Sequence, residues 1–271
     1  GPTEVYVMPL AGGRPTRLTF DSERAAVVGW DTPEKGVQRV LATTNRFSTL
    51  PATQLTSIDP VTGRRELIPL AQASDGSFDN RRRLYFTRLA FQGSQTKRYQ
   101  GGTAQNIWRW DGPGKEAIPL TADYPGTSAT PMWWKNRVYF ISDRSGMMEI
   151  WSFDADGKDL KRHTFHDRGD TVGFDVKSPS LEGGRIVYQL GADLWLYDIE
   201  RNRDRRLDIR LDTDFDQTRE NWVSKPMEYL SAVHPSPDGD RVVLTARGQV
   251  FVAPRGQGRL AEVTRKSGVR Y

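Results

Sequence analysis

Serine, histidine and aspartate occur together in this 271-residue chain, and hydrolysis by a Ser-His-Asp triad is the first chemistry that their presence raises. The chain has three histidines, His163, His166 and His234. It contains no Gly-x-Ser-x-Gly sequence, which would present a nucleophilic serine on a sharp turn between a strand and a helix. We therefore interpret the histidines as structural residues with hydrogen-bond partners, and we expect no catalytic residue in this chain.

Metal and thiol chemistry are not favoured by the residue types either. The chain has no cysteine, which excludes disulfides, thiolate metal ligands and cysteine nucleophiles. His163 and His166 are three residues apart on a predicted path from strand to loop, without a surrounding acidic set, so we expect no metal site. Asp143, Asp154 and Asp198 sit at predicted strand ends, where turn roles are more typical than paired-carboxylate hydrolysis. We expect no cofactor.

The stretch "RYQGGTAQNIWRW", residues 98–110, is the other candidate for a binding site. A Walker-type phosphate loop needs Gly-x-x-x-x-Gly-Lys-Ser/Thr followed by a helix, whereas this glycine pair precedes a strand pattern. Nucleotide binding is therefore not predicted. Two interpretations stay open: a long turn in which Gly101 and Gly102 adopt positive φ, or a loop shaped for a partner or a channel mouth.

Composition narrows the class of partner. The net charge of +5, from 39 basic and 34 acidic residues, is interleaved along the chain, whereas a nucleic-acid surface usually concentrates its charge, so we expect no nucleic-acid partner. Hydrophobic residues make up 37% and charged residues 27%, as in a globular protein. No window approaches the roughly 18 apolar residues of a membrane span, and no signal-peptide pattern opens the sequence, so neither is predicted.

The elements that position these residues follow from an internal repeat. One pattern joins a polar residue, an aliphatic residue, a tryptophan and a closing aspartate. Its copies are "NIWRWD" (106–111), "EIWSFD" (149–154) and "DLWLYD" (193–198). Trp108, Trp151 and Trp195 are thus 43 and 44 residues apart. Interleaved segments that open with arginine are "RVLATT" (39–44), "RLYFTR" (83–88), "RVYFIS" (137–142), "RIVYQL" (185–190) and "RVVLTA" (241–246).

These segments are short runs rich in Val, Ile, Tyr, Phe and Trp, and turn residues such as those in "DPVTG", "DADGK" and "SPDGD" separate them. No sustained helical periodicity is present, so the fold class is predicted to be all-β. A unit of about 40–45 residues that holds four strands is typical of a β-propeller blade. We expect the three tryptophans to occupy equivalent blade positions between neighbouring sheets.

The repeat also predicts the domain organisation. The chain opens with half a blade, and the full blades are 24–70, 73–121, 127–166 and 173–209, with a further blade at 229–264. Closed propellers hold whole numbers of blades, because an unpaired blade edge is an exposed sheet edge. The sequence is therefore interpreted as a segment of a longer protein.

The glycine stretch and the blade that follows it resemble one known family. "KRYQGGTAQNIW" and "RVYFISDRSGMMEIWSFDADGKDLKRHT" are similar, in order and spacing over residues 98–108 and 137–164, to the first propeller of tricorn-type serine proteases. The resemblance implies that residues 1–209 run from half of blade 2 through blade 6 of a six-bladed propeller. It further implies a connection at 210–228 and the first blade of a second propeller at 229–271. In that family a PDZ-like domain and the protease core follow both propellers.

The resemblance also implies one anchor. In tricorn-type proteases a paired arginine before the third blade is implicated in holding the carboxyl terminus of the substrate, a task that suits the guanidinium fork. The matching positions here are Glu23 and Arg24, so a single arginine is retained. Arg24 is the candidate carboxylate anchor, and a solvated loop charge is the alternative.

Residues 92–105 connect two strands of one predicted blade, where a hairpin needs only about two to five residues. Ordering each residue costs about 1–2 kcal/mol of backbone entropy, so an ordered loop requires contacts beyond its own blade. Lys97 and Arg98 offer charge-assisted hydrogen bonds, and Tyr99 offers a ring with a hydroxyl. A neighbouring blade, another domain or a peptide would supply the contact, with Gly101 and Gly102 folding the chain back.

Three functions agree with the sequence. The first, favoured by the glycine loop, is a non-catalytic propeller of a tricorn-type protease that guides or filters peptides towards a core encoded elsewhere. The second is the propeller of a prolyl-oligopeptidase-like hydrolase, and the third is a free-standing TolB-like binding propeller. Under the first, the expected partners are peptide substrates or products, other domains of the longer chain, and further copies in a homo-oligomer. An exported bacterial protein is expected, with a cytoplasmic location as the alternative.

Overall fold

The computed structural model describes residues 3–20, 24–48, 52–91, 96–167, 169–171, 173–210, 222–266 and 269–271. The chain divides into two compact units, Gly1–Ile209 (unit 1) and Arg210–Tyr271 (unit 2). The described part of the chain contains strands and two short 3₁₀ helices, Gly169–Thr171 and Pro226–Tyr229, and no α-helix. The predicted all-β fold class is confirmed.

Unit 1 is a series of antiparallel sheets in which each strand pairs with the next along the chain. Sheet A is β1 (Tyr6–Val7) and β2 (Thr16–Arg17). Sheet B is β3 (Ala25–Asp31), β4 (Arg39–Thr44), β5 (Gln54–Ile58) and β6 (Arg65–Leu67). Sheet C is β7 (Asp75–Phe78), β8 (Leu84–Thr87), β9 (Ile107–Trp110) and β10 (Ile118–Pro119). Sheet D is β11 (Ser128–Trp134), β12 (Arg137–Ser142), β13 (Glu149–Asp154) and β14 (Lys161–Arg162). Sheet E is β15 (Val176–Glu182), β16 (Arg185–Leu190), β17 (Asp193–Asp198) and β18 (Arg203–Arg206).

Unit 2 contains one four-stranded sheet among its described residues, sheet F. Its strands are β19 (Leu230–Pro235), β20 (Arg241–Ala246), β21 (Gln249–Pro254) and β22 (Ala261–Glu262). None of the described hydrophobic side chains of sheet F is fully buried. Sheet F is thus built like the sheets of unit 1 but has no buried core of its own.

Aspartate side chains stabilise the turns between strands, as the sequence predicted. The Asp59 carboxylate accepts hydrogen bonds from the amides of Val61 (2.8 Å) and Thr62 (2.9 Å), and Gly63 adopts a φ of 71°. The Asp154 carboxylate likewise accepts the amide of Lys158 at 2.8 Å. These aspartates cap turns, as predicted from their positions at strand ends.

The hydrophobic core of unit 1 lies between the sheets. Four clusters of buried side chains fill the spaces between A and B, B and C, C and D, and D and E. Between C and D, for example, Tyr85 and Ile107 pack with Val138, Phe140 and Phe153. Sheets B, C and D are therefore apolar on both faces, which explains why their strand segments read as nearly continuous hydrophobic runs.

The three repeated tryptophans occupy equivalent positions, as predicted. Each lies on the third strand of its sheet and is paired with an aromatic residue of the second strand. The pairs are Trp108 with Phe86, Trp151 with Phe140 and Trp195 with Tyr188. Each indole is half-buried and packs on the cluster that its sheet shares with the preceding sheet.

A second repeat is polar and was not recognised from the sequence. In sheets C, D and F, a backbone amide at the start of the third strand donates to a threonine hydroxyl fourteen residues later, and in sheet A the amide just before β1 does the same. These threonines are Thr19, Thr121, Thr164 and Thr264. In sheet D, Thr164 also donates its hydroxyl proton to the buried carboxylate of Glu149. The threonine fixes the fourth strand against the third where the ladder ends.

Candidate functional site

One end of the sheets of unit 1 gathers the residues that the sequence singled out. In an antiparallel meander, the hairpin between the second and third strands lies at the same end as the start of the first strand. The β8–β9 and β12–β13 connections therefore lie at the same end as the starts of β3, β11 and β15. We call this the mouth end of unit 1.

Lys97 joins three sheets at the mouth end. It lies in the β8–β9 connection of sheet C, and its Nζ forms an ion pair with Asp175 Oδ2 at 2.7 Å and donates to the carbonyl of Gly173 at 3.0 Å. Asp175 lies just before β15 of sheet E, and its Oδ1 accepts the amide of Met148 in sheet D at 3.1 Å. The connection thus makes contacts beyond its own sheet.

A groove of about 230 Å³ lies beside this ion pair. The residues that line it come from the β8–β9 connection, the β12–β13 hairpin and the chain around the starts of β11 and β15. They are Thr96, Lys97, Arg98, Thr127, Asp143, Gly146, Met147, Met148, Asp175 and Lys177. We call it the mouth groove. It combines cations, carboxylates and two methionine side chains in one concave surface.

Gly101 is required because a side chain would not fit at its position, and neither glycine of the pair adopts a positive φ. The expectation that Gly101 and Gly102 adopt a left-handed conformation is wrong, since neither has a positive φ. The ring of Tyr99 lies against Gly101 so closely that a Cβ there would overlap the phenol, whereas Gly102 faces open space. The left-handed residue of this loop is Arg98, with a φ of 57°.

Tyr99 closes the loop on itself. Its hydroxyl accepts a hydrogen bond from Thr103 Oγ1 at 3.0 Å, and the Ala104 amide donates to the Gly101 carbonyl at 2.9 Å. The tyrosine therefore folds the loop back towards β9, which leaves Lys97 and Arg98 at the mouth groove. Residues 92–95 of the predicted excursion lie outside the described residues.

Arg24, the candidate carboxylate anchor, is exposed immediately before β3. It makes no ion pair or hydrogen bond within the part of the chain that the structure describes, and it does not line the mouth groove. Glu23 lies outside the described residues. The structure therefore places Arg24 at the mouth end without bringing it together with the groove.

A Ser–His hydrogen bond exists in the chain, between Ser152 Oγ and His163 Nε2 at 2.7 Å. Tyr197 donates its hydroxyl proton to Asn202 Oδ1 at 2.7 Å, so it accepts from His163 Nδ1 at 2.8 Å. This leaves Nε2 as the acceptor for the Ser152 hydroxyl. Arg137 Nε in turn donates to Ser152 Oγ at 2.9 Å. A neutral imidazole therefore satisfies every hydrogen bond in this series, because His163 donates through Nδ1 and accepts through Nε2.

The Ser–His pair lies within sheet D, is joined to sheet E through Tyr197, and is not built as a nucleophile and base. Ser152 is fully buried, and the Arg137 guanidinium occupies a lone pair of its hydroxyl oxygen. Burial, together with the positive charges of Arg137 and Lys161, lowers the pKa of His163 to about 4. A base with that pKa is a weak proton acceptor near neutral pH. The structural interpretation of His163 is therefore supported by its contacts.

The other two histidines differ from each other. His166 is buried, its Nε2 lies 2.9 Å from the Tyr188 hydroxyl, and its amide donates to Glu149 Oε1 at 2.6 Å. His234 is exposed on β19 and has no hydrogen bond within the described residues. His166 thus has the internal partners expected of a structural histidine, whereas the interpretation of His234 as a structural residue stays a prediction.

The stability of the fold is expected to fall as the pH decreases from about 6.5 towards 4. An unfolded histidine has a pKa near 6.5, whereas the pKa of folded His163 is about 4, so in this window only the unfolded state takes up the proton. Between pH 7 and pH 5 the free energy of unfolding should drop by about 2 kcal/mol from this group. Urea denaturation at both pH values measures it.

The matched variants for this measurement are His163→Gln and His234→Gln. His163→Gln removes the titrating group, so its pH-dependent loss should be smaller by about 2 kcal/mol than that of the wild type. His234→Gln, at an exposed position, should retain the wild-type dependence. Equal pH dependence in the wild type and His163→Gln would contradict the assignment.

Metal-binding groups and membrane-spanning helices are absent from the residues that the structure describes. No group of three or more His, Cys, Asp or Glu side chains is arranged to hold a metal ion there. No described helix has the length and apolar character to cross a membrane.

Sequence comparison agrees with the sheet architecture. Residues 1–203 match the family described as the tricorn protease N-terminal beta propeller domain. The chain belongs to this family. The tricorn propeller assignment confirms the predicted β-propeller fold and the resemblance that the glycine loop carries.

Relatives of the tricorn family extend the match. The chain is 28% identical over 270 residues to "Tricorn protease homolog" of Saccharolobus solfataricus, which covers 99% of this chain and 24% of the relative. It is 33% identical over 214 residues to "Tricorn protease homolog 1" of Streptomyces coelicolor, covering 78% of this chain and 19% of the relative. The chain thus spans about a quarter or less of the length of these curated relatives.

A solved structure shows the same fold. The crystal structure of the tricorn protease superposes with a TM-score of 0.68 at 23% identity, over 97% of this chain and 25% of that chain. At this identity the superposition concerns the fold alone. The tricorn-type propeller is therefore established for this chain, and its work in a larger protein is a separate question.

Proposed function

We propose that this chain is a non-catalytic β-propeller segment of a tricorn-like serine protease, which guides or filters peptides towards a protease core outside the chain. The observation that carries the proposal is the family match over residues 1–203, since the relatives found are named as proteases. Residues 1–209, 210–228 and 229–271 are proposed as part of a six-bladed propeller, a connection and the first blade of a second propeller. The division of the chain at residues 209 and 210 supports this organisation.

The non-catalytic assignment rests on the geometry of the Ser–His pair. A nucleophile must be open to substrate and must have a base that can accept its proton. Ser152 is buried and already accepts a hydrogen bond from Arg137, and the pKa of His163 is lowered to about 4 by burial. Hydrolysis is therefore assigned to a part of the protein outside these residues.

The guiding role rests on the mouth end. The β8–β9 connection is held by the ion pair between Lys97 and Asp175 and presents Arg98 at an open groove. Arg24 is exposed near the start of β3 and is proposed as an anchor for a peptide carboxylate. Peptides, other domains of the longer protein and further copies of it are the proposed partners.

Two measurements test this function. Purified chain is incubated with a mixture of short peptides, and mass spectrometry should detect no cleavage, whereas calorimetry should detect peptide binding. Ser152→Ala is the control for contaminating peptidases. Cleavage by the wild type that disappears in Ser152→Ala would overturn the non-catalytic assignment, and complete failure to bind peptides would overturn the guiding role.

A further inference from the structure

We propose that the mouth groove selects peptides with an acidic side chain, and that Arg98 and Lys177 bind its carboxylate. This inference rests on the proposed function, because it names the class of peptide that the propeller accepts. The groove lies between the β8–β9 connection, the β12–β13 hairpin and the start of β15. All of its lining residues belong to unit 1.

The first argument is the distribution of charge. The groove is lined by three cations and two carboxylates, so its net charge is positive. Lys97 and Asp175 are paired with each other at 2.7 Å. Arg98 and Lys177 are exposed and form no ion pair or hydrogen bond to any residue that the structure describes. The unneutralised charge of the groove is therefore carried by these two side chains.

The second argument is that the carboxylates of the groove already have internal partners. Asp143 is buried, and its Oδ1 accepts from the Tyr124 hydroxyl and from the Thr127 amide, both at 2.9 Å. Asp175 accepts from the Met148 amide in addition to Lys97. Neither acid forms an ion pair with Arg98 or Lys177 in the part of the chain that the structure describes, so an external anion is the complementary partner.

The third argument concerns the rest of the peptide. Met147 and Met148 are half-buried in the groove wall, and their flexible thioether side chains pack against apolar groups of different shapes. A volume of 230 Å³ equals that of about eight water molecules, which is room for a side chain with part of its backbone. The groove thus fits one acidic residue and an adjacent apolar contact rather than a folded partner.

Arg98 is suited to the carboxylate because its backbone is held in the left-handed region, with a φ of 57°, beside the fixed Lys97. A planar guanidinium binds a carboxylate through two parallel hydrogen bonds, and a lysine ammonium adds a third donor. Replacing the acidic side chain with its amide would remove the charge and one acceptor oxygen. A lysine side chain in the same place would face two cations.

Calorimetric titration of the 271-residue chain with three matched peptides tests the inference. The peptides differ at one central position, Glu, Gln or Lys, and all have amidated carboxyl termini, so that an anchor for the terminal carboxylate does not contribute. The Glu peptide should bind about tenfold more tightly than the Gln peptide, with the Lys peptide weakest. High salt should reduce the difference.

The variants are Arg98→Gln and Lys177→Gln, with Lys135→Gln as the matched control. Lys135 is an exposed lysine in the β11–β12 turn, at the opposite end of sheet D, and it forms a surface ion pair with the exposed Glu200. Each groove variant should lose most of the tenfold preference for the Glu peptide and keep the wild-type thermal midpoint. Lys135→Gln should retain the preference.

The outcomes separate the inference from the proposed function. If the three peptides bind with equal affinity and Arg98→Gln changes nothing, the acidic selection is wrong while peptide guidance stands. If Lys135→Gln abolishes the preference as fully as the groove variants, the effect is one of overall charge and the inference is wrong. If no peptide binds at all, both are overturned.

Discussion

Glu149→Ala is expected to lower the free energy of unfolding by about 3–5 kcal/mol, because it removes one partner of a buried ion pair. The Glu149 side chain is fully buried at the start of β13. Its carboxylate accepts from Arg162 Nη2 at 3.1 Å, from the His166 amide at 2.6 Å and from the Thr164 hydroxyl. Alanine would leave the His166 amide and the Thr164 hydroxyl without this acceptor in the interior of unit 1, and Arg162 would keep only Asp167, at 3.1 Å, as its carboxylate partner.

Chemical denaturation of the wild type, Glu149→Ala and Glu200→Ala measures this effect. Glu200 is the control because its side chain is 69% exposed and its ion pair with Lys135 lies on the surface. Exposed pairs contribute about 0–1 kcal/mol, so Glu200→Ala should be nearly neutral. A loss below about 1 kcal/mol in Glu149→Ala would contradict this expectation, because it would show that solvent and Asp167 replace the lost carboxylate.

Trp151→Ala is expected to cost about 3–5 kcal/mol, the range for removal of a large aromatic side chain from a packed core. Trp151 packs on the cluster that joins sheets C and D and is paired with Phe140. Its indole Nε1 is buried without a hydrogen-bond partner among the described residues. Trp151→Phe should therefore cost much less than Trp151→Ala, because it loses ring area but also removes an unsatisfied donor.

The matched control for this series is Trp222→Ala. Trp222 is fully exposed, and surface substitutions of this kind usually change stability by about 0.5 kcal/mol or less. Denaturant midpoints of the four proteins give the comparison. Equal losses in Trp151→Ala and Trp222→Ala would contradict the equivalence of the repeated tryptophans as core residues.

The sheets could be predicted from sequence because the repeat combines local and periodic signals. Arginine stands at or just before the start of the second strand in sheets B to F, and tryptophan occupies the same register in the third strands of sheets C, D and E, as Trp108 and Trp151 show. Turn aspartates such as Asp59 act on amides two or three residues away, so their role is encoded nearby. Local chemistry of this kind can be recognised from the order of the residues alone.

The mouth end could be predicted only in outline. Loop length indicated that residues 92–105 require outside contacts, but the partner of Lys97 is Asp175, in a different sheet. Nothing local in the sequence connects these two residues, because their approach depends on how sheets C, D and E are stacked. The role of Gly101 could not be predicted for a similar reason. Glycine is required there because the ring of Tyr99 leaves no room for a Cβ, and not because of the backbone angle φ.

The threonine repeat was missed although its signal was present. Threonine follows the start of the third strand by fourteen residues in sheets C, D and F, and the same spacing begins just before β1 in sheet A, so a search for self-similarity would detect it. Threonine is common on strand surfaces, so its recurrence carries meaning only when the amide that it accepts is known. The hydrogen-bond network of Ser152, His163 and Tyr197 is even harder to predict from the sequence, because it crosses from one sheet to the next.

The hydrophobic clusters of unit 1 each lie between two successive sheets, and none collects side chains from the whole unit. Stability is then close to a sum of nearest-neighbour terms, as in a one-dimensional chain of coupled elements. A substitution at one boundary weakens the adhesion of two neighbours and leaves more distant boundaries intact. Such an architecture can gain or lose an internal repeat during evolution whenever the two newly adjoining faces remain complementary, without redesign of a common centre.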